Sequence, residues 1–196
     1  MCHKILQRDF YLRSALEVAR GLLGNILVST IHGSRVAGII YETEAYDGES
    51  DLACHARYGK TTRNAVMYEM GGLAYIYFTY GMHWMLNCVC AESGYPAAVL
   101  IRAIHPTEGL EMIRSIRAPF PPERWCDGPA KLAKSLGITG TYNGTDLFED
   151  TSPIWIEEGE PIANENVKNS ARIGIDSVTE PWKSKPWRFV ADLSGR

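Results

Sequence analysis

The sequence predicts one mixed domain of helices and strands. Its 196 residues, 45% of them hydrophobic, suit a single globular domain with a substantial buried core. Segments with helical and with strand periodicity alternate along the chain. No internal repeat, low-complexity tract or long linker separates these segments. We therefore expect one domain that spans residues 1–196.

The first predicted elements are a helix and a β-hairpin. In the stretch SALEVARGLLG, Ser14 and Glu17 are placed as a capping box, and Gly24 is placed to end the helix. The stretches NILVST and VAGIIYETEAY, joined by HGSR, predict two strands with a short turn that contains glycine.

Two glutamates continue the second of these strands. In a strand without a bulge, the period of two places five residues on one face: Val36, Gly38, Ile40, Glu42 and Glu44. A carboxylate on an apolar face is costly unless it has a partner or a chemical role. We interpret Glu42 as a structural carboxylate, bonded to backbone or to a nearby basic side chain.

A second β-rich region follows in GGLAYIYFTYGMHWMLNCVC. Tyr75, Tyr77 and Thr79 share one face of its first strand. The later stretch PAAVLIRAI predicts an almost wholly apolar strand that contains a single arginine, Arg102. A buried strand tolerates that guanidinium only if it is paired, and Glu44 is the obvious carboxylate.

Two further helices are expected in the second half of the chain. TEGLEMIRSIR predicts a helix with Thr107 as its cap, and DGPAKLAKSLG predicts a short helix that begins at residues 127–129 and ends at Gly137. The start of the second helix leaves backbone N–H groups free beside Lys131, which makes this position a candidate phosphate site.

The charge of the chain is unevenly distributed. The net charge is −3, but residues 146–165 carry seven acidic residues and no Lys or Arg, which leaves the rest of the chain at +4. Residues 168–196 carry six basic and three acidic residues and are locally +3. The net charge argues against a nucleic-acid partner, whereas its distribution permits one.

Composition also bounds the cellular compartment. No apolar run approaches the length of about 20 residues that a membrane span needs, and the first residues contain no apolar signal segment. The chain has an odd number of cysteines at irregular spacings: Cys2, Cys54, Cys88, Cys90 and Cys126. We therefore expect free thiols and a soluble protein in a reducing compartment.

Local evidence leaves several functions open. A glutamate, a histidine, tyrosines and a buried arginine could form a polar network that orients a core, or a pocket in which one carboxylate activates water. Aromatic walls suit a flat or cationic ligand. A metal site is the competing chemistry, with four candidate ligands: Glu42, Glu44, Cys54 and His55. Their spacing matches no standard zinc pattern.

Several motifs in a fixed order resemble one known family. They are ETEAY followed by CH, then TTRN, YIYFTYGMHWMLN, VLIRA and GPAKL, with ARIGI and PWRF near the end. This arrangement closely resembles the alkyladenine DNA glycosylases, also called methylpurine-DNA glycosylases or 3-methyladenine DNA glycosylases of the mammalian type. The resemblance covers nearly the whole chain.

The resemblance implies a fold and an activity. The implied fold is a single α+β domain built on a curved, largely antiparallel sheet with surrounding helices. The implied activity is base excision repair, in which alkylated or deaminated purines are flipped out of DNA and the N-glycosidic bond is hydrolysed by water. The family uses no metal and no redox cofactor. The implied partner is double-stranded DNA with a damaged purine, bound by a monomer in a bacterial-type cytoplasm.

The resemblance also carries catalytic and base-binding roles onto individual residues. Glu44 matches the residue that activates the attacking water, and Arg102 and backbone groups help to hold Glu44 and that water. Tyr46, His55 and Tyr77 match the residues that sandwich the extruded base.

Further matches concern the DNA duplex and the choice of base. Tyr80 matches the side chain that wedges into the duplex, and Asn87 matches the gate that crowds the exocyclic amino group of guanine. Lys131 and Arg172 are candidate contacts to the DNA backbone. Residues 63–64, in the RN motif, receive no chemical step.

Two features depart from a typical DNA-binding protein. The chain is acidic overall and has no basic N-terminal extension, so its non-specific affinity for DNA is expected to be weak.

Two other functions stay open. A protein that binds damaged or modified nucleic acid without cutting it would keep the aromatic pocket. A metal-dependent hydrolase of a small substrate is the third possibility.

Overall fold

The computed structural model of the protein describes residues 4–194, and its central feature is a curled antiparallel sheet. The strands lie in the order β3-β4-β5-β2-β1-β6, and β8 pairs with both β2 and β7. The strands are β1 (Ile26–Ser29), β2 (Val36–Asp47), β3 (Ala74–Thr79), β4 (His83–Val89), β5 (Ala97–Glu108), β6 (Ile154–Glu157), β7 (Val167–Ser170) and β8 (Arg188–Ala191). The predicted α+β fold on an antiparallel sheet is confirmed.

Short helices surround this sheet. They are α1 (Arg8–Tyr11), α2 (Ala15–Leu22), α3 (Leu110–Arg117) and α4 (Pro129–Ser135), with single 3-10 turns at Ala65–Tyr68, Pro122–Arg124, Gly140–Tyr142 and Asn164–Asn166. The predicted capping box of α2 is confirmed, because Ser14 Oγ accepts from Glu17 N–H at 3.3 Å and Glu17 Oε2 accepts from Ser14 N–H at 3.2 Å. The predicted hairpin of β1 and β2 is also confirmed.

The main core lies between α2, α4 and the sheet. Its buried apolar residues come from positions as far apart as Leu6 and Ala191. Thr43 of β2 ties the sheet to α2, because its hydroxyl donates to Ala19 O at 2.8 Å. The predicted domain spans residues 1–196, but residues 1–3, which include Cys2, and residues 195–196 lie outside the described part of the chain.

Three irregularities interrupt the β2–β5 ladder, and the two on either side of Glu42 change which side chains share a face. The pairing skips Tyr41 on β2 and then Arg102 on β5. Ile40 before the bulge at Tyr41 and Ala45 after it both belong to the main core, although they differ by an odd number of positions. The expectation that Glu42 and Glu44 continue the apolar face is therefore wrong, because the bulge turns both onto the opposite side.

The start of α3 also differs from its prediction. Thr107 belongs to β5 and does not cap the helix. The residue before α3 is Gly109, whose φ of +71° lies in the left-handed region that favours glycine. The helix predicted to begin at residues 127–129 is present as α4, and Gly137 follows it with a φ of +72°.

Two expectations from composition can be compared with the described residues. Cys54, Cys88, Cys90 and Cys126 are buried free thiols, as predicted. Between residues 4 and 194, no helix has the length and apolar character needed to cross a membrane.

Candidate active site

A cavity of about 320 Å³ lies beside the β3–β4 hairpin. Strands β2, β3, β4 and β5 contribute to its wall, together with residues 53, 55 and 173–175 from two loops. Six residues predicted to form the site line this cavity: Tyr46, His55, Tyr77, Tyr80, Asn87 and Arg102. The fold thus brings them to one place, while their chemical roles stay predictions.

Glu44 lies directly behind the cavity wall and is fully buried. Tyr46 hydroxyl donates to its Oε2 at 2.9 Å, and Arg102 Nη1 donates to the same oxygen at 3.2 Å. The Ile173 N–H donates to Oε1 at 2.7 Å. A carboxylate can accept about four hydrogen bonds, two at each oxygen. Oε1 can therefore accept one more hydrogen bond, for example from a water molecule.

The surroundings of Glu44 act on its pKa in both directions. Burial raises the pKa of this carboxyl, because a charge is poorly solvated inside the protein. The Arg102 guanidinium, the Ile173 N–H and the Tyr46 hydroxyl oppose this effect, and the nearby Glu42 adds to it. The net result is a pKa above the usual value, which suits a group that takes a proton from water.

Arg102 is held between two glutamates. Its Nε donates to Glu42 Oε1 at 2.7 Å, while Nη1 reaches Glu44. Arg188 Nε donates to the same Glu42 oxygen at 2.6 Å. Burial would lower the pKa of Arg102, but the two carboxylates raise it above its usual value. The predicted Arg102–Glu44 pair is confirmed, and Glu42 bonds basic side chains as its structural interpretation requires.

Aromatic rings line part of the cavity. His55 and Tyr77 meet edge to face with ring centroids 4.5 Å apart. His55 Nδ1 lies 2.9 Å from the Tyr75 hydroxyl. Part of His55 reaches solvent, but burial of its ring, together with Arg63 and Arg57, lowers its pKa to about 4. The imidazole is therefore neutral at physiological pH and does not repel a cation.

Asn87 lies on the inner wall of the cavity. It is 3% exposed and pairs with Tyr75 across the β3–β4 ladder. Its Nδ2 donates to Tyr75 O at 3.0 Å, which fixes the direction of the amide. The side chain is thereby held in place against any group that enters the cavity.

Tyr80 occupies the tip of the β3–β4 hairpin, at the rim of the cavity. It is 80% exposed, and the neighbouring Met82 is 67% exposed. Tyr80 and Gly81 have φ angles of +51° and +67°, and Met82 N–H donates to Thr79 O at 3.1 Å across the turn. Positive φ at both central residues is typical of a tight hairpin turn. The turn presents a large aromatic side chain to solvent.

Comparisons with known proteins show the family of this chain. The family model of methylpurine-DNA glycosylases matches residues 9–194. The chain belongs to the methylpurine-DNA glycosylase family. It is a DNA repair enzyme, a hydrolase that acts on N-glycosidic bonds, and its substrate is DNA.

Individual relatives of this glycosylase are similar over most of their length. A protein from Methanocella arvoryzae is 45% identical over 186 residues, which cover 94% of this chain and 91% of the relative. One from Carboxydothermus hydrogenoformans is 43% identical over 185 residues and 94% of each chain. One from Myxococcus xanthus is 44% identical over 184 residues, 94% of this chain and 88% of the relative. All three are named as candidate 3-methyladenine DNA glycosylases.

The two candidate DNA-backbone contacts of this glycosylase lie in different settings. The Arg172 side chain is fully buried and ion-paired with Asp51, so the prediction that it contacts a DNA phosphate is wrong. Lys131 is partly exposed, and its Nζ bonds Asp127 Oδ1 at 2.8 Å. A phosphate at Lys131 would have to compete with that carboxylate.

Three contributors to the glycosylase site were not identified from the sequence. Ile173 supplies a backbone N–H to Glu44, and Tyr75 bonds both His55 and Asn87. Asn64 is 1% exposed and donates to His55 O at 3.0 Å. Its place in the RN motif was the available signal, although a sequence alone does not show which carbonyl an amide reaches.

The competing metal site would need a group of ligand side chains close together. Within residues 4–194, no three His, Cys, Asp or Glu side chains are grouped so that they could hold a metal ion. Cys54, one of the four candidate ligands, is 2% exposed, and burial raises the pKa of its thiol to about 12.

Proposed function

We propose that this glycosylase flips alkylated or deaminated purines out of double-stranded DNA and hydrolyses their N-glycosidic bond with a water molecule activated by Glu44. The observation that carries this proposal is the position of Glu44. Its carboxylate is buried behind an aromatic cavity, bonded to three donors and still able to accept a proton from water. Such a group is a general base placed at the wall of a base-sized pocket.

The cavity suits a flat purine with a positive charge. Its volume of about 320 Å³ lies at the lower end of the range for ligand pockets, as a single base requires. Tyr46, His55 and Tyr77 line this cavity and offer it aromatic rings, whose faces attract cations. Neutral His55 adds no opposing charge. The named activity of the relatives, 3-methyladenine excision, concerns a base of this kind.

Substrate charge explains why one carboxylate suffices. A purine alkylated at N3 or N7 is already cationic and leaves as a neutral base, so no general acid is required. Enzymes that cut bonds between sugars use two carboxylates, because the leaving oxygen must be protonated. Hypoxanthine is neutral, so its excision requires a proton on the departing base and is expected to be slower.

The hairpin tip and the neighbouring loop form a candidate DNA surface. Extrusion of a base leaves a gap in the stack, which an exposed aromatic side chain such as Tyr80 can fill. Arg57, Lys60 and Arg63 are exposed on the loop beside His55, and residues 52–68 contain no acidic side chain. Arg63 also ties this loop to the hairpin, because its Nη2 donates to Phe78 O at 3.3 Å. These cations can neutralise phosphates despite the net negative charge of the protein.

One chain contributes every residue of this proposed site, so a monomer suffices for the reaction. We propose that it acts in this form on chromosomal DNA in the cytoplasm, where its buried free thiols stay reduced.

The experiment measures release of free base with EDTA present. The substrates are a duplex with one hypoxanthine and methylated duplex DNA, and the enzymes are the wild type, Glu44→Gln and Glu157→Gln. Glu157 is a matched control, because it is also a buried, arginine-paired glutamate but lies on β6 outside the cavity. A general base accounts for about 10²–10⁴-fold of a rate, so Glu44→Gln should lose at least that factor while still binding the lesion duplex.

The outcomes separate the alternatives. Full excision by Glu44→Gln would overturn its role as the base. Release that EDTA abolishes would favour a metal-dependent hydrolase. Binding of a lesion duplex without any release by the wild type would favour a protein that recognises damage without cutting.

A further inference from the structure

A buried ion pair lies behind the cavity wall. Arg172 contacts Asp51 through both terminal nitrogens, with Nη2 at 2.8 Å from Asp51 Oδ1, and both side chains are fully buried. Removing two charges from water is costly, and it is tolerated only when the geometry is good and the remaining polar atoms are bonded. A pair at this depth therefore needs a structural or functional reason.

Arg172 joins the C-terminal part of the chain to β2. Its Nη1 donates to Ala45 O at 2.8 Å, between Glu44 and Tyr46, and its Nη2 donates to Trp182 O at 3.3 Å. The guanidinium lies over the Tyr46 ring, 4.8 Å from its centroid, and thus contacts this ring directly. The next residue, Ile173, donates its N–H to Glu44.

Asp51 extends the same connection to the loop that carries His55. Its Oδ2 accepts from Asp47 N–H at 3.3 Å, and its Oδ1 accepts from Ala53 N–H at 3.0 Å. The ion pair therefore joins three segments that line or support the cavity, namely the end of β2, the loop at residue 53 and the loop at residues 173–175.

We propose that Asp51 and Arg172 are positioning residues for the glycosylase reaction, because they hold the Ile173 N–H on the Glu44 carboxylate and the Tyr46 ring against the base. This inference rests on the proposed role of Glu44. Neither residue contacts the reacting atoms. Their effect on catalysis is exerted through the number and direction of the hydrogen bonds that Glu44 accepts.

The pKa of Glu44 depends on the charged and titratable groups around it, and this pKa is the quantity that the test follows. Arg102 faces it from β5, Tyr77 from β3, and Glu42 and Tyr46 from its own strand. Arg188 of β8 lies opposite Glu44 in the ladder and bonds Glu42. None of these groups is removed by a change at Arg172. Loss of the Ile173 N–H would leave the ionised carboxylate with one donor fewer, which raises the pKa of Glu44 further.

The test is the pH dependence of single-turnover base release from methylated duplex DNA, after subtraction of release without enzyme. The variants are Arg172→Lys, which keeps the charge but loses the planar fork that contacts Asp51 through two nitrogens, and Asp51→Asn, which keeps the shape of the acid. Arg35→Gln is the control, because Arg35 also contacts a glutamate with two nitrogens but lies outside the cavity.

We expect both site variants to lose about tenfold in rate, as for one hydrogen bond to a charged group, and to shift the acidic limb of the profile to higher pH. Arg35→Gln should show the wild-type limb. A lower fraction of active enzyme with an unshifted limb in both site variants would mean that the pair only stabilises the fold, and would overturn the inference.

The two proposals fail in different ways. Absence of base release by the wild type would overturn the proposed function, and with it the basis of this inference. Release by the wild type that disappears in Glu44→Gln, combined with an unshifted limb in Arg172→Lys and Asp51→Asn, would overturn the positioning role alone. If Arg172→Lys does not fold, the limb of Asp51→Asn decides the question.

Discussion

Replacement of Asn64 by alanine should weaken both the fold and the binding of the lesion. The Asn64 side chain accepts from Thr61 N–H at 2.6 Å and donates to His55 O and Gly59 O at 3.0 Å each. A hydrogen bond contributes about 1 kcal/mol net to stability, so loss of three predicts a fall of about 3 kcal/mol in the free energy of unfolding. The side chain is almost fully buried, so these three bonds are part of the packed loop.

The functional effect of Asn64→Ala follows from the loop that it holds. His55 is attached to this loop and forms one wall of the cavity. Glu44 is not bonded to Asn64, so the chemical step should change little. We therefore expect a higher enzyme concentration at half-saturation in single-turnover excision and a nearly unchanged rate at saturation.

Two measurements and one control test this reasoning. Urea denaturation gives the loss of stability, and single-turnover rates over a range of enzyme concentrations give half-saturation and the maximal rate. Asn25→Ala is the control, because Asn25 is also buried and makes two side-chain bonds, to Gly21 O and from Gly159 N–H, outside the cavity. It should lose about 2 kcal/mol of stability without an effect on half-saturation. An equal half-saturation concentration for Asn64→Ala and Asn25→Ala would refute the argument.

Three further predictions concern the wedge, the gate and the base. Tyr80→Gly should leave the free energy of unfolding, measured by denaturation, within about 1 kcal/mol of the wild type, because glycine readily adopts the positive φ. The same change should weaken lesion binding, measured by duplex titration, about tenfold, because the stacking of the tyrosine ring is lost. Asn87→Ser should raise release of guanine from undamaged DNA about tenfold, because a smaller side chain crowds the base less. Excision should fall as the pH drops through the raised pKa of Glu44, because only the ionised carboxylate accepts a proton, and a pH–rate profile checks this.

Each of these predictions has a contradicting outcome. Unchanged lesion affinity of Tyr80→Gly would mean that the hairpin tip does not enter the duplex. Background release that stays at the wild-type level in Asn87→Ser would remove the gate role. A profile whose acidic limb coincides with titration of His55, near pH 4, would point to that ring in place of Glu44.

The sequence determined the local elements and the types of residue at the site. The capping box of α2, the β1–β2 hairpin and the alternation of Tyr75 and Tyr77 follow from short-range patterns, which depend on neighbouring residues alone. The pairing of Arg102 with a carboxylate was predictable as well, because a guanidinium in an apolar strand needs a counterion. Family membership was recognisable from the order of the motifs.

The tertiary structure decided which way these side chains face and what they contact. The face of Glu44 depends on a bulge at Tyr41, which arises from the pairing of β2 with β5 and is invisible in the alternation of β2 itself. Arg172 belongs to a basic stretch, yet its partner Asp51 lies 121 residues away and draws it into the interior. Ile173, whose N–H donates to Glu44, lies 129 residues from Glu44 along the chain. Periodicity reports on neighbours along the chain, whereas burial, ion pairing and backbone donors at a site depend on segments that only folding brings together.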